Sequence, residues 1–231
     1  MTIIELRQAA RNYSADGVET VALHPLDLDV LQGEFVCVAG ASGSGKTTLL
    51  NLIGGIDTPS AGTVRVAGRA LGGLSRTAAA RLRLELIGFV FQSFNLVPVL
   101  TAFENVEYVL LLRGLPARER RERTLAALRS VGLEEQARRL PGALSGGQQQ
   151  RVAVARAIVG APPIVLADEP TANLDSATGL SLVALLHELN RAQGTTFVFS
   201  SHDPRIIGRA DRVITLLDGR VAEDRRREAA P

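Results

Sequence analysis

The chain has 231 residues, 46% of them hydrophobic, with a formal net charge of +2, and only 4% of its residues are aromatic, none of them tryptophan. That composition supplies a core for one domain, or for one domain carrying an inserted lobe, and excludes a disordered chain. Few aromatics argue against a base-stacking surface, so no nucleic-acid partner is expected. No uncharged apolar stretch approaches the ~18 residues of a membrane span.

The N-terminus carries Glu5 and Arg7 and has no apolar signal core. Apolar, β-branched clusters at Thr2 to Leu6, Val21 to Val30, Phe35 to Ala39 and Thr63 to Val66 alternate with glycine turns, so the first third reads as strands. The single cysteine, Cys37, lies inside one of these runs and reads as a small core hydrophobe, compatible with a reducing cytoplasm. Of 26 Lys and Arg residues only Lys46 is lysine. A compact ammonium and a broad guanidinium are not interchangeable in a tight phosphate pocket, so that position is singled out.

Gly40, Ala41, Ser42, Gly43, Ser44, Gly45, Lys46 and Thr47 satisfy the pattern GxxxxGK(S/T), directly after the strand Phe35 to Ala39 and before a helical stretch opened by Thr48. Glycines let successive backbone N–H groups turn inward on phosphate oxygens, and the helix N-terminus adds partial positive charge. Lys46 is expected on the β- and γ-phosphates and Thr47 on Mg²⁺. The loop alone is equally that of an NTPase, a kinase or a GTPase.

From about Thr101 to Leu140 the chain changes to Arg, Glu, Leu and Ala, with Leu125, Leu128 and Val131 at helical spacing. This predicts an inserted helical lobe. Its run Arg118, Glu119, Arg120, Arg121, Glu122 and Arg123 reads as a solvated helix face. Beyond Pro162 and Pro163 the expected order is a strand Ile164 to Ala167, a helix Ser176 to Gln193, a strand Thr195 to Phe199 and a last strand Val213 to Leu217. Strand–helix–strand alternation predicts a parallel sheet covered on both faces, with ligands beyond the strands' carboxyl ends. The Arg225, Arg226, Arg227 cluster reads as a frayed, solvated tail without function.

Two carboxylates, Asp168 and Glu169, end the strand Ile164 to Ala167, beside the cradle if the two strands are neighbours. Asp168 is expected to hold Mg²⁺ through water, and Glu169 to orient and polarise the attacking water, because phosphoryl transfer needs positioning more than covalent chemistry. The strand beginning at Thr195 delivers His202 to the same edge, where it could donate to the γ-phosphate. His24 and His187 read as structural.

Leu144-Ser145-Gly146-Gly147-Gln148 spells LSGGQ ahead of an amphipathic helix. Here the chain resembles the ABC ATPases. Over nearly the whole chain their motifs follow in order: cradle, Gln92, LSGGQ, the acid pair, Asn173-Leu174-Asp175 and His202. The resemblance implies an α/β fold with a RecA-like parallel-sheet core, an N-terminal antiparallel β subdomain and an inserted α-helical subdomain over about 93–160, together forming one ATPase domain over 1–231. It implies that Gln92 touches Mg²⁺ and links the site to a permease, that Asp175 lies at a subunit boundary and that Tyr13 stacks on adenine. It also implies a head-to-tail dimer sandwiching two ATP, in which Ser145, Gly147 and Gln148 of one copy close on nucleotide held by the other.

The stretch from Ile87 to Pro98, with Leu100 to Val106 after it, resembles the lipoprotein-release and macrolide-export branch. That branch implies a few-span permease with a large extracytoplasmic domain, and a cassette peripheral on the inner face of the membrane. A regulator driving an FtsX-like membrane protein without moving solute would carry the same motifs. The long coiled-coil insertion of DNA-repair relatives and the second cassette usual in translation relatives are not in the sequence. The chain departs from the family at Thr47, where serine is usual, and at Ser200-Ser201, where Val-Thr commonly precedes the histidine.

Overall fold

The computed structural model describes residues 1–15 and 18–227. The chain runs β1 (Thr2–Ala15), β2 (Val18–Leu31), β3 (Phe35–Ala39), α1 (Lys46–Ile53), β4 (Ala61–Val66), β5 (Arg69–Ala70), α2 (Arg76–Leu86) and β6 (Ile87–Val90). Then follow α3 (Ala102–Leu112), α4 (Ala117–Ser130), α5 (Gly146–Ile158), β7 (Ile164–Ala167), α6 (Ser176–Gln193), β8 (Thr196–Ser201), α7 (Pro204–Ile207), β9 (Arg212–Leu217) and β10 (Arg220–Arg226). One sheet, ordered β2-β1-β4-β5, is antiparallel. The other, ordered β10-β9-β3-β8-β7-β6, is parallel apart from its β9–β10 edge.

Strand alternation divides the core into two layers. On β3, Phe35 and Cys37 face a cluster with Leu182, Val183 and Leu186 of α6, while Val36 and Val38 face Leu49, Leu52 and Ile53 of α1 and Ile4, Leu6 and Val64 of the antiparallel sheet. Strand β8 repeats the division, with Phe197 and Phe199 on one side and Val198 on the other. Each such side chain, buried completely, contributes about 1.5–3 kcal/mol relative to exposure. A strand apolar on both faces must lie inside a covered parallel sheet, and β3 and β8 therefore hold fixed the edge at which they end. Burial also pushes the Cys37 thiol up to about 12, with the Glu169 carboxylate adding to the effect, so Cys37 stays a neutral thiol.

The helical lobe consists of α3, α4 and α5, joined through Ala102, Val106, Leu110, Leu128, Val152 and Ala155. Thr101 opens α3 with a capping box, accepting from Glu104 N while Glu104 Oε2 accepts from Thr101 N. On α4, Arg118 pairs with Glu122 and Arg123 with Glu119 at i,i+4 spacing, the expected solvated face. Among the described residues no helix is long and apolar enough to cross a membrane.

Two expectations are corrected. The strand Arg212–Leu217 is not the last, and Arg225–Arg227 is no frayed tail. Arg225 and Arg226 lie in β10, paired with Val213 and Arg212 of β9, and the Arg227 amide donates to the Asp211 carbonyl. Ion pairing overrides the low strand propensity of this charged segment. Arg212 donates to both Asp224 carboxylate oxygens and to Glu34, and Arg226 pairs with Glu34 as well. The condition attached to the acid pair is not met as stated: β7 does not neighbour the cradle strand β3, because β8 lies between them.

Candidate functional site

Between β3 and α1 the chain needs backbone that other residues do not tolerate. Gly45, the residue before α1, has φ 102°, and a Cβ there would lie 2.7 Å from the Ala22 carbonyl. No side chain caps α1 and its first turn holds no acidic residue, so the helix's free N–H groups and positive end are left for an incoming anion. Ser44 Oγ is buried with no partner in the same loop. An orphaned donor in a polar cradle is a group prepared for a ligand oxygen.

A cavity of about 360 Å³ opens at this loop, lined by Ser42, Gly43, Gly45, Lys46, Thr47 and Thr48, by Gln92, Glu169 and His202, and by Ala22 and Ala172. Lys46 is 6% exposed. Its ammonium donates to the Gly40 and Ala41 carbonyls, both at 2.9 Å, and lies 3.4 Å from Glu169 Oε1. Two of its three protons are thereby held by the loop's own carbonyls. His202 Nδ1 is 3.1 Å from each Glu169 carboxylate oxygen, and its ring, with a side chain 64% exposed, stands at the mouth. Glu169 itself has φ 43°, a left-handed backbone that costs a non-glycine residue about 1 kcal/mol.

Asp168 does not line the cavity. Its carboxylate accepts from Ser200 Oγ at 2.7 Å, and Ser200 Oγ accepts from the Glu169 N–H at 2.8 Å. Gly40 and Ala41 line a second, adjoining hollow with His202 and Arg225.

The structure leaves five further predicted residues, Ser145, Gly147, Gln148, Asp175 and Tyr13, outside the cavity. Ser145 caps α5, accepting from Gln148 N at 3.3 Å while Gln148 Oε1 accepts from Ser145 N at 3.0 Å. Gly147 has a packing reason to be glycine, since a Cβ there would lie 2.7 Å from Thr178 Cγ2. Asp175 caps α6 by accepting from Ala177 N, Thr178 N and Thr178 Oγ1, and these bonds, led by the one from the Thr178 hydroxyl, hold its carboxyl below the usual range. Tyr13 donates its hydroxyl to Asp57 at 2.7 Å, and the Arg11 guanidinium lies 4.6 Å from its ring centroid, the residue as a whole being 37% exposed. His24 bonds Arg220, and His187 stacks on Phe35 and bonds Asp211, so both are structural.

Sequence reasoning missed Ser200, Ala22, Ala172 and Gln150. Gln150, fully buried, donates to the carbonyls of Phe91 and Pro170 and so joins α5 to the segments bearing Gln92 and Glu169. Its only sequence signal is a polar residue on an apolar helix face. Ser200 is marked by a hydroxyl in an otherwise apolar strand; the two alanines carry no signal.

Comparison with known proteins now adds to the geometry. The ABC transporter family matches residues 23–172. The lipoprotein-releasing system ATP-binding protein LolD of Anaeromyxobacter dehalogenans is 49% identical, with 96% of this chain aligned to 93% of that protein. The macrolide export ATP-binding/permease protein MacB 1/2 of Paracoccus denitrificans is 48% identical over 97% of this chain, which spans about a third of that relative's length (33%). Among solved structures, the dimeric post-hydrolysis state of the ATP-binding cassette MJ0796 bound to ADP and Pi superposes with a TM-score of 0.90 at 42% identity, covering 97% of this chain and 98% of that one. With a glycine-rich cradle, an acid pair converging on it from another strand end of the same sheet and these matches together, the chain belongs to the ABC transporter family, as an ATP-binding, ATP-hydrolysing cassette of the LolD and MacB type.

Proposed function

We propose that Lys46, Glu169 and His202 form the hydrolytic centre of this cassette, and that it works as a head-to-tail pair driving a membrane permease of the lipoprotein-release or macrolide-export kind. The observation that carries the reading is the convergence on Glu169: its carboxylate lies 3.1 Å from His202 Nδ1 and 3.4 Å from Lys46 Nζ at the mouth of the cradle. Backbone amides from Gly40 to Thr48 hold the triphosphate, and Lys46 neutralises its β- and γ-oxygens. Glu169 takes the water's developing proton, and His202, exposed on one side, donates to the γ-phosphate. Tyr13 offers its open ring face to the base.

The remaining donors fit Mg²⁺. Thr47 hydroxyl, Gln92 amide oxygen and Asp168 carboxylate are hard oxygen ligands, and this ion uses one or two carboxylates plus water and substrate phosphates. Among the described residues no group of three His, Cys, Asp or Glu gathers into a metal cage, which suits an ion arriving with its nucleotide. When bound, the ion would neutralise charge on the β- and γ-phosphates.

The head-to-tail pair is supported by the position of Ser145, Gly147 and Gln148, which form a helix end, exposed at Ser145 and half-buried at the other two, outside their own chain's cavity. It is supported too by the dimeric structures of MJ0796. The likeness to LolD and to MacB supports a permease partner and a cassette peripheral on the inner membrane face.

Glu169→Gln tests the reading. Phosphate release is expected to fall by about 10²- to 10⁴-fold, and the variant with ATP and Mg²⁺ should elute as a dimer in size-exclusion chromatography. Unchanged turnover removes Glu169 from its role. Monomeric elution with ATP bound counts against the sandwich.

A further inference from the structure

The hydroxyl of Ser200 touches both acidic residues of the proposed centre. Ser200 lies on β8, fully buried, opposite Val38 of the cradle strand and one step past the Phe199–Ala167 pairing with β7. It therefore stands level with Asp168 as the chain leaves the sheet. Its single O–H donates to Asp168 Oδ1 at 2.7 Å, and its lone pair accepts the Glu169 N–H at 2.8 Å. Among the described residues no other side chain bonds the Asp168 carboxylate or the Glu169 amide.

We propose that Ser200 is a positioning residue for hydrolysis, fixing the Asp168 carboxylate and the Glu169 backbone through one hydroxyl; the proposal rests on the roles given above to those two residues. A carboxylate with one oxygen held by a donor can no longer rotate freely about its terminal torsion, so the other oxygen keeps one direction for a water-bound cation. The bond to the Glu169 N–H acts on the residue with φ 43°, where no strand partner takes that amide. With the backbone pinned, the side chain stays within reach of His202 and Lys46. An apolar residue here would leave that N–H unpaired. Ser200 at this position supplies that partner. Its place on β8, between β3 and β7, gives a mechanical reason for it: the intervening strand supplies the link between a cradle and an acid pair that do not pair directly.

The test uses Ser200→Ala, which removes the hydroxyl at nearly constant volume, and Ser200→Thr, which retains it. Partners that orient a metal ligand typically cost about 10- to 100-fold when removed. Ser200→Ala is accordingly expected to lower kcat about tenfold or more with KM for ATP within about twofold, and Ser200→Thr to restore most of it. A second readout avoids turnover: in the Glu169→Gln background, Mn²⁺ binding to the ATP complex, followed by electron paramagnetic resonance, should weaken on adding Ser200→Ala and recover with Ser200→Thr. The proposal is overturned if Ser200→Ala keeps both kcat and Mn²⁺ affinity while Glu169→Gln is inactive. It is overturned equally if folded Ser200→Thr is as slow as, or slower than, the alanine variant, and this arm decides the matter should the alanine variant prove unstable. If Glu169→Gln itself retains turnover, the reading of Glu169 falls instead, and Mn²⁺ affinity alone then decides for or against Ser200 through Asp168.

Discussion

Two helices in this chain begin at glycine-containing N-termini without an acidic residue in the first turn, α1 after Gly45 and α5 after Ser145, and they are finished to different degrees. The start of α1 has no side-chain cap and opens into a cavity with Lys46, Gln92, Glu169 and His202 around it. The start of α5 is closed on itself by a reciprocal Ser145–Gln148 box and stands outside that cavity. A capped helix end is stable by itself and keeps its remaining N–H groups for whatever approaches, whereas an uncapped one facing a cavity depends on its ligand. On the proposed reading, the first half of the site is thus complete within one chain, and the second is presented outward.

Substitutions on either side sharpen that contrast. The largest effect is expected at Lys46→Ala, which should weaken ATP binding by about 10- to 100-fold, the worth of a charge-assisted hydrogen bond, in equilibrium titration of a single copy. Wild-type affinity would break the assignment of the cradle. Ser145→Ala should leave single-copy ATP affinity unchanged while lowering turnover about tenfold, and loss of the cap should cost about 1 kcal/mol in denaturant unfolding. A parallel loss of single-copy affinity would show that the α5 end acts within its own chain. Smaller again, Tyr13→Ala should reduce ATP affinity about threefold to tenfold, with Tyr13→Phe close to wild type, because stacking needs the ring and not the hydroxyl bonded to Asp57. Equal losses in both variants would point to the Asp57 bond.

The smallest effect concerns the sheet edge far from nucleotide. Arg212, donating to Asp224, holds that carboxyl below its ordinary 3.8. A lowered carboxyl stabilises the fold fully above its unfolded pKa and loses that contribution as pH falls through the folded one. Asp224→Asn should therefore cost about 1 kcal/mol at neutral pH, and less of it in acid below pH ~3.8, read from thermal unfolding.

Much of this was legible in the residues. The strands Phe35–Ala39 and Ile164–Ala167 and the helix Ser176–Gln193 stand where expected, since long apolar runs bounded by Gly, Pro and an Asp cap carry local signals. The strand β10 was not legible, because its stability comes from Arg212 and Glu34, residues distant in sequence. Helix α2 was missed because only Leu82 of its residues is buried, leaving little apolar period to read. Strand order was equally hidden: nothing local in Ile164–Ala167 reveals that β8 separates it from the cradle strand. For the same reason Ser200 passed as an ordinary substitution until the fold placed its hydroxyl between the Asp168 carboxylate and the Glu169 backbone N–H.

The buried Cys37 has a practical consequence. Its thiol is 0% exposed and held neutral near pH 7, so maleimide and methanethiosulfonate reagents find no thiolate to attack in the folded chain. The protein is ready for site-directed labelling without first removing its native sulfur: a cysteine placed on the outward α5 end would carry a fluorophore or spin label alone, and distances between two such labels would follow the approach of one copy to another.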